Sequence, residues 1–269
     1  MRPDRPRDIR FSQKAFASPS ATSGPRSRGR AGDALLLAAE GSQRLYGRDR
    51  AFTWKSVGVN AVGRARRLNR CSRNTEEVLE FAWQVAQAPA EADEEATETH
   101  TRVLPTEAAR HGPPPAYRAC ATVAEEQAAV TELVRLFKLN GIAAEDIGVL
   151  YPRNERGRAD ALCRELRRAH EVCWVSNEWD PGGGVRSLGR PGVRLMTIHA
   201  ANGLEFPAAI VTALDLLPNP MESDERRDGN LLYVGLTRAM DHLVVTWSGR
   251  SAFTESVERS TKAVAQADP

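Results

Sequence analysis

The chain has 269 residues, 41% of them hydrophobic, and its 37 basic and 35 acidic residues leave a net charge of +2. That length holds one large domain or two small ones, with enough apolar residues for a core but not for a fully packed chain. No run approaches the roughly 18 apolar residues of a membrane span, and no apolar segment follows the N-terminal charges. The four cysteines, Cys71, Cys120, Cys163 and Cys173, lack CxxC spacing and a nearby His, so they fit buried free thiols in a reducing cytosol better than a metal site or disulfide framework.

Residues 1–32 are rich in Arg, Pro, Ser and Gly, carry eight basic and two acidic residues, and show no apolar periodicity. They are expected to be a disordered basic tail; Asp4 and Asp8 sit badly in a transit peptide. The main domain is expected over residues 33–250, opening on a buried strand at Asp33 to Ala39. Asn74-Thr75 followed by Glu76 and Glu77 marks a helix start that turns Val78, Leu79, Phe81 and Ala82 inward. Residues 91–116 read as an acidic linker: six acids face only Arg102 between positions 91 and 108. Then come a strand at Tyr117 to Val123, a helix from Ala124 to Asn140 stopped by Gly141, and a strand at Ile147 to Tyr151. A helix at Arg156 to His170, a strand at Val172 to Val175 and a Gly-rich loop at Asp180 to Gly192 follow. Strands at Val193 to Ile198 and Ala209 to Leu214, a helix near Leu231 to Met240 and a strand at His242 to Trp247 complete the domain. A closing helix at Ala252 to Val264 falls within the C-terminal segment, 251–269. Apolar strands alternating with amphipathic helices predict an α/β fold, a parallel sheet covered by helices on both faces.

Two segments carry the chemistry. Val193 to Phe206, VRLMTIHAANGLEF, is a buried strand running into a Thr-x-His turn and a Gly-Leu-Glu. Leu231 to Met240, LLYVGLTRAM, is a helix whose last turn is expected to hold Thr237 and Arg238. Ligands of parallel sheets bind at the carboxyl ends of strands, so Thr197, His199, Glu205, Thr237 and Arg238 are expected to form a polar rim along one edge. Singly, these are a capping Thr, a surface His, a solvated Glu and a paired Arg. Together, at these spacings, they suggest a site. Of the 37 basic residues only Lys14, Lys55, Lys138 and Lys262 are lysines, leaving 33 arginines; coding bias explains this, as does phosphate recognition by the planar guanidinium fork.

The two segments resemble motifs V and VI of the UvrD/Rep-type superfamily 1 DNA helicases. Thr197 to Phe206 follows the family's T-I-H-x-A-K-G-L-E-F except at Asn202, and Leu231 to Ala239 follows L-x-Y-V-A-x-T-R-A with Gly235 for alanine. More loosely, Gly41 to Tyr46 resembles the end of motif III, Arg73-Asn74-Thr75 resembles motif IV, and Ile147 to Arg153 resembles the strand written I-A-V-L-Y-R. The resemblance implies a second RecA-like motor domain of a P-loop NTPase-type helicase, acting on ATP and Mg²⁺ and on single-stranded or duplex DNA in the cytoplasm. It makes Arg238 an arginine finger toward the γ-phosphate, Arg73 its cationic partner and Gln43 a γ-phosphate sensor. Glu205 receives the ribose hydroxyls, and Gly203, Glu205 and Arg238 form the nucleotide-binding set. Thr197 and His199 touch the DNA backbone, while Trp54 and Lys55 stand where a base stacks beside a cation.

The departures are chemical. A P-loop needs Gly-Lys followed by Ser or Thr, yet the four lysines follow Gln, Trp, Phe and Thr, and Asp215 is followed by Leu216 rather than the Glu of a Walker B site. The resemblance therefore implies a P-loop-containing first motor domain as partner, with the ATP and Mg²⁺ held mainly there. Ser72 replaces the motif IV tyrosine and Glu40 replaces an aspartate. Two readings stay open: the C-terminal half of a DNA helicase or translocase, inactive without its P-loop domain, or a non-hydrolytic DNA- or protein-binding remnant.

Overall fold

Six strands lie side by side in one sheet in the order β1-β6-β5-β2-β4-β3, and every neighbouring pair runs parallel. They are β1 (Ala116–Ala119), β2 (Ile147–Tyr151), β3 (Val172–Val175), β4 (Val193–Thr197), β5 (Phe206–Val211) and β6 (Ala239–Trp247). The helices are α1 (Glu76–Ala86), α2 (Val123–Leu139), α3 (Arg158–Leu166), α4 (Glu225–Leu236) and α5 (Ala252–Ala267). The computed structural model describes residues 70–86, 105–175, 189–220 and 225–267. The basic tail, the strand expected at 33–39, the linker to position 104 and most of the Gly-rich loop lie outside these residues.

Because side chains alternate along a strand, each central strand feeds two cores. Leu150, Met196, Ala209, Val211 and Val245 join Val78, Leu232, Val234 and Phe253 on the face covered by α1, α4 and α5. Ile147, Val149, Leu195, Ala208 and Ile210 join Val130, Val134, Leu162 and Leu166 on the face covered by α2 and α3. The expected fold, a parallel sheet with helices on both faces, is the one present. Phe206 requires a gap in the sheet. Its ring lies over Gly148, where an added Cβ would sit 2.6 Å from the nearest ring carbon.

Several boundaries move from those the sequence suggests. Strand β1 stops at Ala119 because Thr122 has already turned to cap α2, its hydroxyl accepting from the Glu125 amide at 3.1 Å. Strand β5 is shifted three residues toward the N-terminus: Phe206 pairs with Ala239, and just beyond Val211 the Thr212 hydroxyl and the Ala213 amide go to Glu126. Helix α3 begins only at Arg158, since Arg156 and Gly157 both adopt positive φ. The end of the expected acidic linker is not loose. The Ala109 amide donates to the Cys71 carbonyl at 2.8 Å, the Glu76 amide to the Arg110 carbonyl at 2.9 Å and the Gly112 amide to the Glu77 carboxylate at 2.8 Å. None of the four cysteines forms a disulfide, but only Cys163 and Cys173 are buried, not Cys71 or Cys120.

A charge network missed by sequence reading closes the carboxyl edge. Glu126, 2% exposed, comes from α2; one of its oxygens accepts from the Thr212 hydroxyl (2.8 Å), the Ala213 amide (2.8 Å) and the Thr246 hydroxyl (2.9 Å). Its other oxygen meets Arg158, which also grips Asp215 with both guanidinium nitrogens at 2.7 and 2.9 Å. Burial alone pushes the Asp215 carboxyl up, but the Arg158 hydrogen bond and charge, with the Ser248 amide, more than offset it and hold it below its ordinary 3.8. A depressed carboxyl contributes stability above its unfolded value and loses it as pH falls through the folded one. We therefore expect stability to drop in urea titrations taken below about pH 3.8. Arg158→Met should cost about 3–5 kcal/mol at neutral pH, because it leaves two carboxylates without their cation. It should also flatten that acid limb. An unchanged urea midpoint at pH 7 would show that the network carries no stability.

Candidate functional site

The direction of the strands decides where the motif residues go. Thr197 ends β4, so it lies at the carboxyl edge of the sheet, level with Tyr151. Glu205 and Arg238 immediately precede β5 and β6, so they lie at the amino edge, where Phe206 pairs with Ala239. At about 3.3 Å per residue the two sets are separated by roughly 20 Å along the strands. The single polar rim expected at the carboxyl edge is thus corrected to two sites at opposite edges. In a parallel sheet a residue that follows one strand and a residue that precedes the next cannot share an edge.

At the amino edge three distant segments are tied together. Arg73 reaches Glu205 across 132 positions at 3.3 Å, with side chains 23% and 45% exposed. Asn74, fully buried, donates from its amide nitrogen to the carbonyls of Thr237 (2.9 Å) and Ala239 (2.6 Å), and its oxygen accepts from the Arg73 Nε at 3.1 Å. The Thr75 amide donates to the Met240 carbonyl at 3.2 Å, and the Phe206 amide to the Arg238 carbonyl at 2.9 Å. Motifs IV, V and VI of the resemblance therefore meet in one place, the first two linked by side chains and the last by its backbone.

Thr237 and Arg238 do not occupy the last turn of a helix. Helix α4 ends at Leu236, and the pair forms the two-residue turn into β6. Nor does Thr237 belong to a rim, being buried with its hydroxyl donating to the Tyr233 carbonyl at 2.9 Å. Arg238 is 1% exposed: its Nε donates to the Val234 carbonyl at 3.0 Å and an Nη to the Leu204 carbonyl at 3.1 Å. Arg238 is therefore a buried cation rather than a member of an exposed rim.

With this geometry in view, comparison with known proteins is informative. Residues 185–250 match the UvrD-like helicase C-terminal domain. The chain is 36% identical over 75 residues to DNA helicase II of Escherichia coli, which covers 26% of this chain and 10% of that protein. It is 48% identical over 134 residues to the ATP-dependent DNA helicase UvrD1 of Mycobacterium tuberculosis, covering 43% of this chain and 16% of that protein. A 60-residue stretch is 42% identical to the ATP-dependent DNA helicase Rep of Buchnera aphidicola, covering 20% of this chain and 9% of that protein. Among solved structures, the C-terminal domain of a possible DNA helicase from a Lactobacillus has a TM-score of 0.48 at 19% identity, covering 70% of this chain and 95% of that one. The chain thus spans a small fraction of its curated helicase relatives.

The remaining UvrD-like motif residues lie along the crossover from β4 to β5. Thr197, half-buried, accepts from the Ala200 amide at 3.1 Å and starts a tight turn that also holds half-buried His199. Asn202, Gly203 and Glu205 are exposed. Gly203 has φ +86 with nothing within 4 Å of an added Cβ, so its conformation rather than its space calls for glycine. Gln43, Trp54 and Lys55 lie outside the described residues. Among the described residues no group of His, Cys, Asp and Glu could hold a metal ion, and no helix is long and apolar enough to cross a membrane.

Removing the Arg238 guanidinium should leave the buried Val234 carbonyl and the partly buried Leu204 carbonyl short of a donor. We expect Arg238→Ala to cost about 1–3 kcal/mol of stability, read as a lower urea midpoint with an unchanged slope. A midpoint equal to that of the parent would contradict the buried placement.

Proposed function

We propose that the chain supplies the second motor domain of an ATP-driven DNA helicase or translocase of the UvrD/Rep type. In this reading the amino edge faces the nucleotide and the carboxyl edge faces the DNA. Arg238 and Arg73 approach the γ-phosphate of an ATP whose Mg²⁺ and phosphates are cradled by a P-loop-containing first motor domain, and Gln43 senses that phosphate. Glu205 receives the ribose hydroxyls beside Gly203. Thr197 and His199 contact the strand backbone, with Trp54 and Lys55 as the stacking pair. The observation that carries the reading is the convergence of Arg73, Glu205 and the Thr237–Ala239 turn on one patch, from segments 132 to 165 positions apart.

The chemistry follows from charge. Two guanidinium groups on one cleft wall neutralise the negative charge spread over a transferring phosphoryl group, an effect worth about 10³–10⁵ in rate for an arginine finger. Arg238 must exchange the Val234 and Leu204 carbonyls for phosphate oxygens. A charged acceptor favours that exchange, because hydrogen bonds between ions are roughly twice as strong as neutral ones. The segment Ile198 to Glu205 runs from the DNA-facing edge to the nucleotide-facing edge, which supplies a short mechanical link between the two sites.

The test is reconstitution with a P-loop-containing first motor domain from a UvrD/Rep-type relative. The chain alone should release no phosphate from ATP, since its sequence has no Gly-Lys pair. The mixture should show turnover stimulated by single-stranded DNA, and Arg238→Lys should lower it by about 10³ without weakening nucleotide binding. A turnover loss that merely tracks the fraction unfolded would refute the finger role. In fluorescence titrations, single-stranded DNA should bind weakly, with affinity falling steeply as salt rises. Thr197→Val and His199→Ala should each weaken it; if neither does, the DNA track lies elsewhere.

A further inference from the structure

We propose that Asn74 is a positioning residue that sets both cleft arginines at once; this rests on reading Arg73 and Arg238 as the phosphate-facing pair. Its amide is fully used. The nitrogen offers two protons, and two carbonyls take them: Thr237 at 2.9 Å and Ala239 at 2.6 Å. The oxygen accepts from the Arg73 Nε at 3.1 Å and, more weakly, from the Cys71 thiol at 3.7 Å. These partners fix the orientation of the amide, since carbonyls accept only donors and a guanidinium only donates.

The bound carbonyls belong to the residues on either side of Arg238. The Arg238 carbonyl is itself held by the Phe206 amide at 2.9 Å, and its amide donates to the Gly235 carbonyl at 3.3 Å. The backbone is thus fixed before, at and after this residue, so the direction of its Cα–Cβ bond is set by Asn74 and the start of β5. Arg73 is held by the same group through its Nε, which leaves its outer nitrogens to face Glu205. One buried planar amide thereby fixes the spacing between a cation in the turn that leads into β6 and a cation that precedes α1. Serine has one hydroxyl and cannot span both carbonyls. Aspartate keeps the acceptor for Arg73 but turns an oxygen toward two other oxygens. The two functions of the amide are therefore separable by substitution.

The experiment follows hydrogen exchange of arginine Nε–H groups in the ¹⁵N-labelled full chain, assigned through Arg73→Lys and Arg238→Lys, with the Ile210 amide in β5 as a gauge of global opening. In Asn74→Asp, exchange at Arg238 should rise at least about tenfold relative to Ile210, because both buried hydrogen bonds to the turn are lost, while Arg73 changes little. In Asn74→Ser, the milder variant should the first fold poorly, both arginines should exchange faster. If Arg238 exchange stays in step with Ile210 in both variants, Asn74 is only a packing residue and the proposal is overturned. With a P-loop-containing first domain added, Asn74→Asp should lower kcat for ATP at unchanged KM. Should Arg238→Lys cost turnover while Asn74→Asp does not, the positioning role also falls. Should Arg238→Lys leave turnover intact, the finger reading fails, whereas the exchange result still decides what Asn74 holds.

Discussion

Among the described residues all six strands run in one direction, and this constraint decides at which edge each described motif residue lies. A chain leaving a parallel strand at its carboxyl edge must return to the amino edge before the next strand begins. Between β4 and β5 the return takes only residues 198–205, shorter than the dozen or more residues usual for a helical crossover. The Thr197 hydroxyl starts the turn, Gly203 supplies the positive φ, and Phe206 lands over Gly148, whose missing side chain makes room for the ring. Residues adjacent in sequence are thereby sent to opposite ends of the sheet. Residues far apart in sequence, such as Arg73 and Glu205, are brought together.

Each edge is then closed by its own polar cluster. The carboxyl edge is held by an arginine between two carboxylates, with one Glu126 oxygen accepting three hydrogen bonds. Such a network is costly to bury and more costly to leave half-made, so it ties α2, α3, β5 and β6 into one arrangement. The amino edge uses a neutral amide. Asn74 joins the start of α1 to the turn between α4 and β6 without itself adding a charge beside the buried Arg238. The Arg73–Glu205 pair beside it is partly exposed. Pairs of this kind contribute little to stability, about 0–1 kcal/mol, which suits groups that must change partners.

A motor needs its nucleotide and its track to be felt by one another. In the proposed reading the sheet is the rigid body between them, and the crossover that ends at Glu205 begins just after Thr197. The UvrD-like match covers both ends of that crossover, and the residues to which the proposal gives nucleotide-facing and strand-facing roles lie at opposite edges of a core whose central residues are inaccessible to solvent. Displacement at one edge has few soft elements into which it could dissipate.

The sequence alone determined the fold class, the parallel direction of the sheet and the family likeness, because these rest on local signals: apolar runs, helix caps and two contiguous motifs. Strand β2 at Ile147 to Tyr151 and strand β3 at Val172 to Val175 follow the expected bounds, being short apolar runs with clear breaks. Where a tertiary partner competed, the bounds moved, as where the Ala213 amide goes to Glu126 rather than to a neighbouring strand. The Glu126–Arg158–Asp215 network had no signature in the chain, since its members are separated by 32 and 57 positions. The expected motif residues were named one by one, but their grouping was not legible: strand order and direction decide which of them share an edge. Only the tertiary structure buried Arg238, which a lone turn between helix and strand would have left in solvent. Only the tertiary structure gave Asn74 a role beyond opening a helix, because the two carbonyls it holds lie more than 160 positions away.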